Sequence, residues 1–249
     1  MLEKLKYDVL QANLELVKQN LVIYTWGNVS GIDRDKNLIV IKPSGVDYNT
    51  LKVEDMVVVD FNGKVIEGKL KPSSDTPTHI ELYKNFKNIN GIVHTHSTYA
   101  VSWAQSGRDI PAYGTTHADY FYGDIPCTKF LTKIEIEECY EKNTAISIIQ
   151  RFNGLDANAL PGVLCAGHGP FSWGKTPMSA VHNAKVLENI GAARIILNNE
   201  LNYENLNSNI EEIILNKNTI ETMSKNALKV STSNVEDKIF TEIKKIVRE

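Results

Sequence analysis

The chain has one histidine at position 94, another at position 96, and a third at position 168 between two glycines. Side chains two residues apart on a β-strand project from the same face, so His94 and His96 would present two imidazoles to one side. Two convergent imidazoles suit a divalent metal ion. Taken alone, the pair is also compatible with two ordinary histidines at a strand end, one of them partly buried and hydrogen-bonded.

His168 is the third candidate ligand, because Gly167 and Gly169 leave space around it for a coordination sphere. Three histidines and one carboxylate would hold zinc or a similar divalent ion. Asp75 is the best-placed carboxylate because it lies in a polar loop. Spacing alone does not establish this site, since the candidates are spread from position 75 to position 168.

Three short segments rich in small polar residues could bind an anion. Gly27–Asn28 would let backbone and a short amide approach a ligand closely, although such a pair also forms ordinary turns. Pro43–Gly45 forms a turn directly after Lys42. Ser73–Asp75 precedes a helix whose first amides Thr76 is expected to cap, a position suited to an anion or simply to a solvated capping loop.

The composition indicates one cytoplasmic domain with a small-molecule partner. The 249 residues are 42% hydrophobic, and no Pro/Gly/Ser-rich linker divides them. The net charge is −3 and basic residues are dispersed, so neither nucleic acid nor a membrane surface is expected as a partner. Three cysteines without paired spacing favour a reducing compartment. The first residues resemble neither a signal peptide nor a membrane span.

Apolar periodicity and turn residues predict an α/β arrangement. Helices are predicted over 3–19, from Pro77 through Phe86, after Ser97, from 177 to about 197, over 210–229 and over 234–248. A further helix of about twenty residues is predicted to begin at a capping box formed by Thr132 and Glu135. The predicted strands span 38–42, 56–60, 64–67, 91–96 and 161–166. An irregular loop rich in aromatics, from Ile110 to Gly123, is expected to contribute to a site.

Six motifs together resemble the L-ribulose-5-phosphate 4-epimerases of the class II aldolase superfamily. They lie in the family's order over about residues 1–197, and they are Trp26–Ser30, Ile41–Asp47, Lys71–His79, Gly91–Ser97, Thr115–Cys127 and His168–Gly174. The resemblance implies a three-layer α-β-α single domain with a central, mostly antiparallel sheet. It assigns residues 1–200 to the family domain and leaves 201–249 as a divergent helical tail of that same domain.

The resemblance also implies the members of the active site. A divalent metal, usually zinc, with manganese or cobalt as alternatives, would be held by His94, His96 and His168, with Asp75 close to it. The substrate phosphate would contact residues that match the family's anion-binding turns: Asn28, Lys42, Ser44, Gly45, Ser73 and Ser74. Asp119 matches the catalytic acid/base, and Thr115 and Glu141 match residues around the site, Glu141 from a neighbouring subunit of a homotetramer.

The reaction implied is the interconversion of L-ribulose 5-phosphate and D-xylulose 5-phosphate, as in arabinose catabolism. The hydrogen on carbon 4 is not adjacent to the carbonyl, so inversion would proceed by breaking and re-forming the bond between carbons 3 and 4. Asp119 would move a proton at the carbon 4 oxygen. The metal would act as a Lewis acid that stabilises the enediolate.

The sequence departs from the family in its C-terminal segment, where a tyrosine from the adjacent subunit is the partner acid/base. Tyr203 is the last tyrosine here, and Leu228 or Lys229 occupies the matching region. A lysine such as Lys225 or Lys229 could replace the donor. Alternatively, the chain is a related aldolase or epimerase for another phosphorylated sugar. A metal hydrolase and a non-catalytic metal-binding protein are further alternatives, although both leave the phosphate-binding turns without a role.

Overall fold

A seven-stranded antiparallel sheet forms the centre of the described part of the chain. It is seen in a computed structural model of the chain, which describes residues 2–112 and 114–191. The strands of these residues are β1 (Asn28–Asp33), β2 (Leu38–Ile41), β3 (Val57–Asp60), β4 (Val65–Glu67), β5 (Gly91–His94), β6 (Gly162–Leu164) and β7 (Pro170–Gly174). Their order across the sheet is β4-β3-β2-β1-β5-β7-β6, which places the histidine strand β5 between β1 and β7.

Helices cover both faces of this sheet. Those of the described residues are α1 (Glu3–Lys18), α2 (Thr76–Asn85), α3 (Thr98–Ser106), α4 (Thr115–Ala118), α5 (Lys133–Arg151) and α6 (Pro177–Gly191). Alternate strand residues point to opposite faces. Val29 and Val93 therefore pack with α1 and α6, whereas Ile92 packs in the larger cluster that includes residues of α2 and α5. The expected three-layer, mostly antiparallel architecture is confirmed.

The strand β1 is an element that the periodicity did not predict. Its residues, Asn28 to Asp33, include several with low strand propensity, so the local signal is weak. Tertiary packing compensates for this, because a Cβ atom at Gly31 would lie within 3.0 Å of side-chain atoms of Leu5, Val9 and Pro177. The close approach of α1 and the start of α6 thus requires glycine at the centre of this strand.

The loop after the histidine strand is held by a buried carboxylate. Glu188 of α6 accepts hydrogen bonds from the backbone N–H groups of Tyr99 (3.0 Å) and Ala100 (2.9 Å), at the beginning of α3. These amides have no partner within their own helix, and a negative charge is favoured near a helix N-terminus. The contact stabilises the segment between β5 and α3, which contains His96.

Several predicted elements fall outside the described residues. The helix predicted from 177 to about 197 is observed as α6, of which the structure describes the part up to Gly191. The tail 201–249 also lies outside, with its predicted helices and the positions Tyr203, Lys225, Leu228 and Lys229. None of the described helices combines the length and apolar character that crossing a bilayer requires.

Candidate functional site

Three imidazoles converge at one end of the sheet. The Nε2 atom of His96 lies 3.0 Å from Nε2 of His94 and 3.2 Å from Nε2 of His168. His94 is the last residue of β5, and His168 lies in the turn between β6 and β7, the strand paired with β5. The strand was predicted to include His96, but His96 lies beyond its end. The backbone between the two histidines still brings their rings together.

The protonation state of His94 is set by its surroundings. Its Nδ1–H donates to the Pro170 carbonyl oxygen at 2.9 Å, which leaves the lone pair of Nε2 directed at the other two histidines. Burial, and then the neighbouring His96, lower the pKa of His94 to about 3. Burial also lowers the pKa of His168 to about 3, and it lowers the pKa of His96. The cluster is therefore neutral at physiological pH, as metal-ligating imidazoles must be.

Gly169 allows the turn that carries His168 to approach the histidine strand. A Cβ atom at Gly169 would lie 2.9 Å from the Thr95 carbonyl oxygen and 3.3 Å from Cδ2 of His96. Any larger residue would push the two segments apart, and His168 would move away from its neighbours. Gly169 thus provides space, as the sequence pattern suggested, and it does so by letting two backbone segments approach each other closely.

Asp75 lies beside the histidine cluster but is not part of it. Among the described residues, the group of potential ligand atoms within 4.8 Å of one another contains only the three histidines. The charge of Asp75 is nevertheless close enough to raise the pKa values of His96 and His168, opposing the effect of burial. Asp75 occupies the N-cap position of α2 without capping it, because its Oδ2 accepts from Asn28 Nδ2 at 2.7 Å. The prediction that Thr76 caps α2 was therefore wrong, since Thr76 is the first helical residue and the N-cap residue before it forms no side-chain cap.

Asn28 connects the histidine cluster to the candidate anion-binding loops. It pairs with His94 across β1 and β5, so its position in the sheet is fixed. Its Nδ2 also donates to Ser73 Oγ at 3.1 Å. Its buried Oδ1 has no hydrogen-bond partner within the described part of the chain. One amide thus contacts Asp75 and a loop that is predicted to bind phosphate, and it lies next to a candidate histidine ligand.

The two loops predicted to bind phosphate are joined by backbone hydrogen bonds. The N–H of Ser44 donates to the Lys71 carbonyl (2.9 Å), and the N–H of Ser73 donates to the Lys42 carbonyl (3.1 Å). These bonds bring the two predicted phosphate loops side by side. Of the predicted phosphate set, three residues are buried, namely Asn28, Lys42 and Ser73, and three are exposed, namely Ser44, Gly45 and Ser74.

Lys42 is a buried cation that forms no ion pair with a carboxylate of the described residues. Its Nζ contacts the carbonyl oxygens of Pro43 (3.3 Å) and Thr25 (3.5 Å) and lies 4.7 Å from the centroid of the Tyr48 ring. Burial lowers the pKa of Lys42 to about 8, against a smaller raising effect of Asp47. An anion at this place would relieve the cost of burying the charge.

Tyr48 is a site residue that sequence patterns did not indicate. Its hydroxyl donates to the carbonyl oxygens of Gly27 (2.8 Å) and Trp26 (3.1 Å), while its ring supports Lys42. Gly27 has a φ of +82°, and a Cβ there would contact Val22 and the His94 carbonyl oxygen. Tyr48 thus holds the loop before Asn28 against Lys42. No spacing rule points to it, since its role depends on a loop distant in sequence.

Within the described residues, the predicted acid/base Asp119 is not one of the groups that converge with the three histidines. Thr115 begins the short helix α4, Asp119 follows it, and both are exposed. Neither side chain makes a hydrogen bond within the described residues. The segment is anchored by buried His117, whose Nε2–H donates to the Gly123 carbonyl at 2.7 Å. Asp119 therefore lies on the surface of the described part of the chain.

A kink in α5 brings Tyr140 to His168. Cys139 has non-helical backbone angles (φ −160°, ψ 76°), and Asn143 Nδ2 donates to the Glu135 carbonyl across the kink at 2.7 Å. The ring centroids of Tyr140 and His168 are 5.5 Å apart. Glu141 follows, and its carbonyl accepts from Thr78 Oγ1 of α2 at 2.6 Å. The capping box at Thr132 formed as predicted, but no sequence pattern indicated the kink.

The donor set fits a divalent metal ion. Three neutral imidazoles direct nitrogens to one place, and the Nε2 separations of 3.0 and 3.2 Å are close to the about 3.3 Å between two nitrogens of a tetrahedral zinc site. The His94 tautomer is fixed by a backbone carbonyl, an arrangement typical of metal-ligating histidines. Such a set accepts zinc, manganese or cobalt.

Most of the chain matches one known protein family. The family model for the Class II Aldolase and Adducin N-terminal domain matches residues 7–195, which is more than half of the chain. A second model, for the Glycosyltransferase family 28 C-terminal domain, matches residues 178–239, which is less than half.

Solved structures with this architecture include several aldolases. An L-fuculose 1-phosphate aldolase is 27% identical, with a TM-score of 0.65 over 89% of this chain and 95% of that one. YgbL from Klebsiella pneumoniae, described as a candidate aldolase, epimerase or decarboxylase, is 25% identical, with a TM-score of 0.61 over 77% and 88%. The L-fuculose-1-phosphate aldolase of Thermus thermophilus shares the fold at 23% identity, with a TM-score of 0.58 over 76% and 91%.

Proposed function

Because the chain belongs to the class II aldolase and adducin family, we propose that it is a divalent-metal-dependent enzyme that breaks and re-forms a carbon–carbon bond of a phosphorylated sugar. The observation that carries this proposal is the position of Asn28, which joins a three-histidine cluster to a phosphate-type loop. The specific reaction proposed is the interconversion of L-ribulose 5-phosphate and D-xylulose 5-phosphate.

His94, His96 and His168 would hold the metal ion, and Asp75 would provide a negative charge beside it. When bound, the ion supplies Lewis-acid stabilisation of the charge that develops on the ketone oxygen as the bond between carbons 3 and 4 breaks. Zinc is the ion we propose first. Asp75 is proposed to act through its charge and through Asn28, since its Oδ2 is already engaged by that amide.

The phosphate would be bound at Lys42 and the two joined loops. The Lys42 ammonium and the Ser44 and Ser74 hydroxyls are the proposed donors, as phosphate recognition requires, and Asn28 would hold Ser73 of the second loop in place beside them. In the proposed reaction the phosphate belongs to the aldehyde fragment. These contacts would retain that fragment while it rotates and presents its other face, so that re-addition inverts carbon 4.

Asp119 would accept the proton of the carbon 4 hydroxyl as the bond breaks and return it after re-addition. Asp119 is exposed, so its carboxylate is accessible to a substrate, and we propose that the site lies at a subunit interface of a homotetramer. Thr115, on the same short helix, would position the substrate. Glu141 is proposed to contribute at the same interface. A carboxylate in this role needs hydrogen-bond reach more than an unusual pKa.

A second candidate function is aldol cleavage of a different sugar phosphate. Two observations favour it: the absence of any tyrosine after Tyr203, and the 27% identity to an L-fuculose 1-phosphate aldolase. In an epimerase the enediolate adds to either face of the aldehyde, so a proton donor is needed on both sides of it. An aldolase uses one face of the aldehyde and needs one such donor. In a ketose 1-phosphate the phosphate lies on the ketone fragment instead of the aldehyde fragment. The phosphate-binding loops would then hold the ketone fragment.

Incubation of zinc-loaded protein with each substrate separates these functions. The epimerase predicts D-xylulose 5-phosphate from L-ribulose 5-phosphate, absent from an Asp119→Asn control. The aldolase predicts release of a three-carbon ketone phosphate from L-fuculose 1-phosphate, detected with a coupled dehydrogenase. Absence of D-xylulose 5-phosphate above the control level would reject the epimerase.

A further inference from the structure

His168 also lines a small cavity that does not include the other two histidines. It has a volume of about 170 Å³, and its lining includes His168, Tyr140 and three further hydroxyl residues, namely Thr128, Thr144 and Ser147. Tyr140, Thr144 and Ser147 are spaced by four and three residues along α5, so they share one helix face. The cavity thus combines a candidate metal ligand with a row of hydroxyl groups.

Two residues that line this cavity each carry a buried polar atom with no hydrogen-bond partner within the described residues. These atoms are His168 Nδ1 and Ser147 Oγ, and the Ser147 residue is 5% exposed. A buried polar group without a partner costs about 1–3 kcal/mol, so native proteins rarely leave one unsatisfied. The same ring nitrogen of His94 is satisfied by the Pro170 carbonyl. Within the described part of the chain, the His168 nitrogen lacks such a protein partner.

The hydroxyls of the cavity supply complementary groups. Thr128 Oγ1 accepts from the Ala166 N–H at 3.0 Å, which leaves its hydroxyl hydrogen available as a donor. Thr144 Oγ1 donates to the Tyr140 carbonyl at 2.8 Å, which leaves lone pairs available as acceptors. The lining contains no lysine, arginine, aspartate or glutamate of the described residues. A neutral ligand that both donates and accepts hydrogen bonds fits this set, and an ion does not.

We infer that this cavity is a hydration site in which bound water accepts the His168 Nδ1–H and links it to Ser147, so that water fixes the orientation of the third metal ligand. The volume accommodates several water molecules at roughly 30 Å³ each. A buried water needs two to four polar partners, and the cavity offers them. Metal-ligating histidines usually donate their second N–H to a carboxylate, a carbonyl or water, and loss of that partner weakens metal binding.

This inference rests on the metal centre of the proposed function, so its test uses metal affinity and structure instead of turnover. Ser147→Val removes the hydroxyl and fills the cavity, whereas Ser147→Ala removes the hydroxyl and leaves room for water. Cobalt(II) binding to apoprotein would be measured by competition with a chelator, together with the visible spectrum of the bound ion. Ile39→Val, a buried change in β2, controls for general loss of stability.

The expected result is roughly 10-fold weaker cobalt binding and an altered spectrum for Ser147→Val, with a smaller loss for Ser147→Ala and none for Ile39→Val. Wild-type affinity and spectrum in Ser147→Val would overturn the inference. A crystal structure of the wild-type protein gives a test that does not need the metal. Water within hydrogen-bond distance of His168 Nδ1 and Ser147 Oγ would support the inference, and a dry cavity would overturn it. Failure of wild-type protein to bind cobalt would instead reject the proposed metal centre.

Discussion

The ammonium group of Lys42 lies 4.7 Å from the centre of the Tyr48 ring, and the hydroxyl of that same ring donates to the Gly27 carbonyl at 2.8 Å. Tyr48 therefore contacts a candidate phosphate-binding cation with its face and the loop before Asn28 with its edge. Burial raises the pKa of Tyr48, so the hydroxyl remains a donor at physiological pH. Tyr48 therefore links Lys42 to the loop before Asn28, two parts of the candidate phosphate site that are separate in the sequence.

Replacing Tyr48 with phenylalanine should weaken phosphate binding without affecting the metal. The ring under Lys42 is kept, but the loop at Trp26 and Gly27 loses its anchor. We expect KM for a phosphorylated substrate to rise several-fold with a smaller change in kcat, and the free energy of unfolding to fall by about 1–2 kcal/mol. Steady-state kinetics and thermal denaturation measure these effects. An unchanged KM would show that the hydroxyl does not order the loop.

Substrate capture should decline in alkaline solution as Lys42 loses its proton. Its pKa is lowered to about 8 by burial, so the free enzyme holds the positive charge below this pH and loses it above. A bound phosphate would retain the proton, so the decline should be seen in kcat/KM more than in kcat. Lys42→Arg keeps the charge at all accessible pH values and should remove the alkaline decline in kcat/KM. If the wild type and Lys42→Arg show the same alkaline decline in kcat/KM, another group is responsible.

Asn28→Asp tests whether the amide joins the two halves of the site. The change keeps the shape but replaces the donor to Ser73 and Asp75 with an anion. Repulsion from Asp75 and from the substrate phosphate should raise KM by about 10-fold or more at neutral pH. Lowering the pH should partly restore binding as the new carboxyl takes up a proton. Binding of inorganic phosphate as a competitive inhibitor, measured against pH, would check this, and wild-type inhibition at neutral pH would contradict it.

Removing one histidine of the cluster should abolish stoichiometric metal binding. His96→Ala deletes the imidazole whose Nε2 contacts both others, so affinity for zinc should fall by more than about 100-fold. His182→Ala is the matched control, because His182 lies on α6 against Tyr120 and outside the cluster. Metal content after dialysis, measured by mass spectrometry, distinguishes the two. Equal zinc content in both variants would argue against the site.

The histidine pair shows what local sequence can predict. The rings of His94 and His96 lie together as expected, but strand alternation is not the cause, because the strand ends at His94 and the following backbone completes the approach. His168 could not be placed by spacing, because its position depends on the pairing of β5 with β7 and on the tight contact at Gly169. The flanking glycines had indicated His168 as a candidate ligand, but only the resemblance to a family supported grouping it with His94 and His96.

The elements that sequence patterns missed depend on tertiary contacts. The strand β1 has weak propensity and forms between two partners, and the kink at Cys139 is stabilised by the side chain of Asn143. Tyr48 acts on a loop 21 residues earlier in the chain. The capping box of α5, by contrast, is a purely local interaction between Thr132 and Glu135, and its position was predicted correctly.

The decisive experiment for the proposed function is a titration of apoprotein with zinc while conversion of L-ribulose 5-phosphate is followed by phosphorus NMR. We predict that D-xylulose 5-phosphate forms at a rate that rises with zinc to one equivalent per subunit and then remains constant. Chelation should abolish the rate, and added zinc should restore it. Full zinc occupancy without turnover of L-ribulose 5-phosphate or any other sugar phosphate, or turnover that does not depend on metal, would contradict the proposed function.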